Sequence, residues 1–222
     1  MNTKVKPKKQ ILKKIKQHGF WFVDIPRTSS SSIRSELGKH LGVVYGKRNI
    51  IESEHRTPQI IVDHISASRF REYLGHELWD EIYTFSLVRN PWDRTLSHYL
   101  YRVKITEIVD LSFRDYVIKL NSAQADTPLF RFHGTRFGAY DFLYDESDNL
   151  LVDYVGKFET RAQDLKIISE KIGVTSLGKL HLQSAKPTHL HYSDAYDEET
   201  KEIIYNLYRK DIDAFDYHFE EK

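Results

Sequence analysis

The chain has 222 residues, 40% hydrophobic and 13% aromatic, enough to bury one substantial core. Its 33 Lys and Arg nearly balance 32 Asp and Glu, so no global basic field argues for nucleic acid and any anion site must be local. The absence of cysteine excludes a disulfide framework, thiolate metal sites and a cysteine nucleophile.

Residues 1–18 form a basic extension, which reads as a frayed, solvated helix, with a membrane-surface role as the lesser alternative. The apolar run after it is too short and too aromatic for a signal peptide or a membrane span. Phe20–Ile25 reads as a buried strand that stops at Pro26, which has no N–H for a ladder. Arg27, Thr28, Ser29, Ser30 and Ser31 then supply a cation and hydroxyls, and from Ser32 the spacing of Ile33 and Leu37 fits one face of a helix. Strand, polar loop and helix start together make an anion site, because loop N–H groups and the helix dipole converge on one point. The alternative is a plain surface loop with a serine cap.

Gly42–Thr57 reads as a loop, and Gln59–Val62 as a short buried strand that leads into Asp63 and His64. Ser66–Leu74 reads as a helix capped by Ser66 or Ser68. Glu81–Val88, rich in β-branched and aromatic residues, is the clearest third strand. It ends in Arg89-Asn90-Pro91, and a helix follows from Trp92 to about Lys104 with Pro91 in its first turn. Further on come a helix over Phe113–Leu120 and a hairpin over Asp141–Lys157 turning at Glu146-Ser147-Asp148-Asn149. A helix over Arg161–Ile172 is closed by Gly173, Leu177–His191 is irregular, and Asp197–Arg209 is an amphipathic helix with an acidic start. Alternating strands and helices predict an α/β fold with a parallel sheet, in one domain over residues 19–222.

The run IPRTSSSSI, Ile25–Ile33, resembles the 5′-phosphosulfate loop of the carbohydrate sulfotransferase family, usually written IPKTGGTS. Pro26, Thr28 and Ser32 match; Arg27 stands for Lys, Ser29 and Ser30 for two glycines, and Ser31 for Thr. A second run, Val88-Arg89-Asn90-Pro91-Trp92-Asp93-Arg94 with Ser97 and Tyr99, is similar to the family's 3′-phosphate segment VRNPWDRxxSxY. On its own terms, an Arg at the C-terminal end of a parallel strand sits where α/β sheets bind ligands. Ser97, two helical turns on, can face the same crevice, and a guanidinium with a hydroxyl suits a phosphate monoester. Arg94 and Asp93 also fit a helix-surface ion pair, and Trp92 fits the core or a lid over the loop.

His64 follows a predicted strand, at the point where heparan and uronyl members of the family carry a His in a segment like GHxxF. Here the preceding residue is Asp63, which could orient the imidazole or cap the next helix. His133, His181, His189 and His191 are the other candidates for a base. Asp153–Glu159 resembles the family's VDFVGRFENL, where Gly156 permits close backbone approach. His181–Lys186 stands where the family has HxNxSx(R/K), which implies a phosphate contact for Lys186. With the tail from Tyr196, the resemblance runs from about Phe20 to Phe219.

The resemblance implies a P-loop-NTPase-like parallel sheet flanked by helices, related to the heparan/uronyl 2-O- and chondroitin sulfotransferases in a soluble bacterial or viral form. It implies 3′-phosphoadenosine 5′-phosphosulfate (PAPS) as donor, its bisphosphate (PAP) as product and no metal. Arg27 with Thr28, Ser29, Ser30, Ser31 and Ser32 would hold the phosphosulfate, Arg89 and Ser97 the 3′-phosphate, and His64 would be the base. A base near neutrality speeds attack by an alcohol by about 10²–10⁴-fold, and one preorganised donor at the leaving oxygen is worth roughly 3–4 kcal/mol. The acceptor would be a carbohydrate or other hydroxyl compound, met by a cleft within Thr106–Arg136 whose Arg114, Arg131 and Arg136 permit an acidic sugar. A cytoplasmic location without membrane insertion is the matching expectation; oligomeric state is not legible. Two rivals stand beside this: a non-catalytic nucleotide- or glycan-binding protein on the same fold, and a P-loop kinase, whose GxxxxGK[ST] is absent. Arg27 is bulkier than Lys, and Ser29 and Ser30 are stiffer than Gly wherever a positive φ is needed.

Overall fold

The computed structural model describes residues 6–7, 9–41, 51–52, 64–106, 110–122, 137–180 and 191–222. Its elements, in chain order, are β1 (Lys6–Pro7), α1 (Lys9–His18), β2 (Phe20–Phe22), α2 (Ser30–Leu41), β3 (Ile51–Glu52), α3 (Ala67–Leu74), α4 (His76–Glu81), β4 (Tyr83–Val88) and α5 (Pro91–Thr106). Then follow α6 (Phe113–Asn121), α7 (Ala139–Leu143), β5 (Tyr154–Lys157), α8 (Arg161–Ile172), α9 (Glu198–Leu207) and α10 (Arg209–Phe215). The chain divides into two compact units interleaved along the sequence. One comprises Met1–Ile25, Ser29–Leu87 and Asp141–His181, the other Pro26–Thr28, Val88–Tyr140 and Leu182–Lys222.

The first unit is a mixed α/β layer built on a sheet in the order β2–β4–β5, with β2 and β4 parallel and Phe20 opposite Tyr83. Side chains alternate across a strand, so Phe20 and Phe22 point to one face and Trp21 to the other. On the first face they join Phe85 and Leu87 and are covered by Ile33 and Leu37 of α2 and Leu165 and Ile168 of α8, all buried. On the second face Trp21 stacks on Phe70 of α3 at 4.0 Å between ring centroids, and Phe70 meets Trp79 of α4 edge-on. Helices therefore flank both faces of the sheet, as the alternation of elements predicts. Asp153 ties the chain before β5 to β4, accepting from Thr84 N and Thr84 Oγ1, each at 2.7 Å. Gly156 is needed where β5 passes α8, since a Cβ there would lie 2.8 Å from Asp164 Cβ.

The second unit is helical among its described residues. Asn90 caps α5, its Oδ1 accepting from Trp92 N at 3.1 Å, and Pro91 occupies the first turn, where no N–H is required. Trp92 is core: its indole N–H donates to the Lys201 carbonyl at 3.0 Å and its ring meets Phe219 edge-on. Arg94 is buried too, donating from Nη2 to the Phe137 carbonyl at 2.9 Å and lying over the Tyr208 ring. A capping box between Asp197 and Thr200 starts α9. Asp211 of α10 accepts from Ala139 N at 2.6 Å and Tyr140 N at 2.9 Å.

Several sequence expectations need adjustment. The hairpin over Asp141–Lys157 keeps its turn, closed by Asp145 and a single bridge between Tyr144 and Leu150, but its first strand is the helix α7. The reason is the Asp211 carboxylate, which satisfies the first N–H groups of α7 from far along the chain. Glu81 ends α4, a helix not anticipated, so the third strand starts at Tyr83; α2 starts at Ser30 rather than Ser32; and the last amphipathic helix breaks at Tyr208 into α9 and α10. The loop over Gly42–Thr57 contains β3, which pairs antiparallel with β1. The predicted strand Gln59–Val62 lies outside the described residues.

Replacing Asp211 by Ala is expected to lower the unfolding free energy by roughly 2–4 kcal/mol in urea titration, because two buried N–H groups lose a charged acceptor. Gly138→Ala should act through the same clasp, since its Cβ would meet Asp211 Oδ1 at 2.1 Å. Losses below about 0.5 kcal/mol in both variants, the level of an ordinary surface substitution, would contradict this account.

Candidate functional site

The loop after β2 places Arg27 in the left-handed backbone region at φ +69°, which turns its carbonyl and side chain toward α5. Its guanidinium donates from Nε and Nη2 to Ser97 Oγ at 3.2 and 3.0 Å and lies over the Tyr101 ring, 4.6 Å from the centroid. The turn at the end of β4 meets this loop directly: Arg89 Nη1 donates to the Arg27 carbonyl at 3.1 Å. Arg89 Nε donates to Asp93 Oδ2 at 2.7 Å, one helical turn on, so Asp93 pairs with Arg89 and not with Arg94. Burial and the neighbouring Arg89 charge both push the Arg27 pKa down from its ordinary value. Among the described residues no carboxylate forms an ion pair with Arg27. Two guanidiniums and a hydroxyl thus converge with a local excess of positive charge, the arrangement that suits a multiply charged oxyanion.

The first unit carries a second constellation, assembled on Asp24. This carboxylate is the one charged side chain in the run Phe20–Ile25 and is only 4% exposed. His64 stands at φ +67°, with Nδ1 3.2 Å from the Asp24 carbonyl and 3.3 Å from Oδ2. Arg34 of α2 brings Nη1 to 3.0 Å from the same Oδ2. Burial alone would raise the Asp24 pKa; hydrogen bonding and charge from His64, then the charge of Arg34 and a hydrogen bond from Ser30, outweigh it and hold the carboxyl below its ordinary value.

The serine run divides. Ser29 sits at φ +69°, and its carbonyl accepts from Ser32 N and Ile33 N as α2 begins. Thr28 and Ser30 are buried, Ser31 is exposed and Ser32 is half-buried. Of the sequence candidates, then, Arg27 contacts both Ser97 and Arg89, while Ser29 to Ser32 and His64 belong to the other unit. Lys186, Asp63, His133, His181 and His189 lie outside the described residues, as does most of the suggested acceptor segment. Two residues escaped the sequence reading. Asp24 was hidden inside an apolar run, where its signal is the very presence of a charge, and Tyr101 was an ordinary helical aromatic. Among the described residues, no group of three His, Cys, Asp or Glu could hold a metal, and no helix is long and apolar enough to cross a membrane.

No family model matches the chain. An uncharacterized protein of Archaeoglobus fulgidus is 28% identical over 110 residues, 47% of this chain and 78% of that one. A solved structure, the crystal structure of a sulfotransferase from Alicyclobacillus acidocaldarius, is similar over 94% of this chain and 91% of its own, at 14% identity and a TM-score of 0.40.

Ser29→Gly is expected to stabilise the protein by about 0.5–1 kcal/mol in urea titration. The left-handed penalty relieved, roughly 1–2 kcal/mol, exceeds the extra chain entropy of glycine, roughly 0.5–1 kcal/mol. A destabilised variant would show that Ser29 does not hold a positive φ. Asp24 gives a pH signature: a depressed carboxyl stabilises above its ordinary value of 3.8 and loses that contribution as pH falls below it. Asp24→Asn should therefore cost about 3–5 kcal/mol at neutral pH, because it strips a buried ion pair of one partner. It should also flatten the acid side of the stability profile; parallel acid limbs in parent and variant would be the contrary result.

Proposed function

We propose that the protein is a sulfotransferase that moves a sulfuryl group from PAPS to a hydroxyl, in the first instance of a carbohydrate. The observation that carries this reading is the contact of Arg27, Arg89 and Ser97, brought together from two turns far apart in sequence. Those two turns are the ones whose sequences resemble the family's two phosphate segments. Their residues fit a donor with phosphate at both the 3′ and 5′ positions, because they bring two guanidiniums side by side, Arg27 having no carboxylate partner among the described residues.

The donor supplies an activated sulfuryl whose leaving atom is a phosphate oxygen. Arg27, with the hydroxyls and N–H groups of Thr28 to Ser32, would neutralise charge at that oxygen, where a preorganised donor acts most strongly. Arg89 and Ser97 would hold the 3′-phosphate and so select this donor over ATP. Arg89 keeps its second edge on Asp93, which fixes the direction of the fork. His64 would accept the proton of the attacking hydroxyl through Nε2, Nδ1 being directed at Asp24. That Arg27 and His64 serve one reaction is part of the proposal. Lys186 stands as a further phosphate contact on the resemblance alone.

The test begins with binding of PAP in the absence of magnesium, measured calorimetrically. Arg89→Ala should weaken it by about 10–100-fold, the loss of a charge-assisted fork. His64→Ala should bind PAP like the parent yet lose about 10²–10⁴-fold in sulfuryl transfer from labelled donor to a panel of polysaccharides. A preference for ATP with magnesium would point to a kinase instead. PAP binding with no transfer by the parent to any acceptor would leave a binding protein.

A further inference from the structure

We infer that Asp24 is a positioning residue for His64: its main-chain carbonyl takes the Nδ1 hydrogen bond, and its buried carboxylate, 3.3 Å from the same nitrogen and shared with Arg34, stabilises the charge the ring acquires when Nε2 takes a proton. The inference rests on the reading of His64 as the base of the proposed transfer. In that step the hydroxyl O–H bond breaks, its proton goes to Nε2 and its oxygen bonds to sulfur. The bond from sulfur to the phosphate oxygen breaks with its electron pair left on phosphate.

Four observations converge. First, Asp24 is a single carboxylate in an apolar strand end, 4% exposed, where a leucine or valine would pack without desolvation cost. Second, the two atoms nearest His64 Nδ1 on this residue, the carbonyl at 3.2 Å and Oδ2 at 3.3 Å, are both acceptors only. Nδ1 must therefore carry the proton, and the neutral ring presents its lone pair at Nε2, the form a base requires. Third, His64 is held at φ +67°, a conformation that a β-carbon disfavours and that persists only where surrounding contacts over-determine it. Asp24 is one such contact. Fourth, Arg34 brings Nη1 to 3.0 Å from Oδ2, so a second cation keeps the anion charged.

Arg34 also limits what Asp24 can do. A carboxylate oxygen divided between a guanidinium and an imidazole pulls less on the imidazole than an unshared one. Among the described residues, the charged groups placed at His64 Nδ1 are Asp24 directly and Arg34 through it. Removing the first and removing the second should move the ring in opposite directions, which a merely structural ion pair would not do.

The experiment follows the imidazole carbon and nitrogen resonances of His64 by NMR in the full chain, for parent, Asp24→Asn, Asp24→Glu and Arg34→Gln. The midpoint of the His64 titration is expected about one pH unit lower in Asp24→Asn, to return toward the parent in Asp24→Glu, and to rise in Arg34→Gln. In transfer assays Asp24→Asn should lower kcat by about 10–100-fold with the donor KM within about twofold, and shift the acid limb of kcat/KM to lower pH. Unmoved midpoints in Asp24→Asn and Arg34→Gln overturn the inference. Should Asp24→Asn give no folded spectrum, an unmoved midpoint in Arg34→Gln overturns it alone. A parent that binds PAP but sulfates nothing sinks the reading of His64 as base, a failure that the NMR arm separates from failure of the Asp24–His64 coupling.

Discussion

Two guanidiniums held side by side and partly buried repel each other, and the candidate anion site is organised around making that tolerable. Burial and the Arg89 charge both disfavour the charged form of Arg27, and the surroundings answer with dipoles and a ring rather than with a carboxylate. Ser97 takes two N–H bonds, the Tyr101 face covers the guanidinium plane, and the Arg27 carbonyl accepts from Arg89, turning a repulsive neighbour into a donor. Among the described residues, Arg89 receives a nearby anion, Asp93, and Arg27 does not. A cation pair compensated by dipoles retains its net charge. It therefore remains attractive to a ligand that brings two or more negative charges, whereas a cation pair fully matched by carboxylates would not.

Backbone strain is concentrated on the same residues. The positive-φ residues other than glycine include Arg27, Ser29 and His64, all three candidates for chemistry. Each such conformation costs on the order of 1–3 kcal/mol and survives only because hydrogen bonds around it leave no easier alternative. The family pattern that this loop resembles has glycine where Ser29 stands, and glycine adopts a positive φ without penalty. This chain takes up a positive φ with a serine and stabilises it from the helix side, where the Ser29 carbonyl closes the first turn of α2. The hydroxyl at position 29 is held at the expense of stability.

What was legible in the sequence had a local cause, and what was not had a distant one. Strand β4, the Ser66 cap of α3, the Pro91 start of α5 and the Gly173 end of α8 each follow from residues within a few positions. The first half of the expected hairpin failed because Asp211, about seventy residues away, caps Ala139 and Tyr140 and makes a helix of a stretch rich in strand-favouring aromatics. Helix α4 was missed because a six-residue segment held by one buried Trp79 carries no periodicity to read. Within the site, Arg27, Arg89 and Ser97 could be found because they stand in short motifs. Asp24 could not: its partners His64 and Arg34 are 40 and 10 positions away, and a strand-end aspartate has no motif of its own.

The arginine at position 27 then reads as part of a coordinated set rather than as an isolated departure from lysine. A lysine ammonium is a compact point charge on a flexible stem, and it would suit a loop that wraps closely around phosphate. A guanidinium is planar, and here its plane is used twice: one edge meets Ser97 Oγ through two nitrogens and the face lies on Tyr101. Neither contact can be reproduced by an ammonium with the same geometry. The fork that remains points away from Ser97, so its orientation is set before any ligand arrives, which lowers the entropy lost on binding. Charge, hydroxyl and ring are therefore coupled choices. A lysine placed at position 27 with Ser97 and Tyr101 unchanged would restore the family's residue while losing the arrangement that fixes where its charge points.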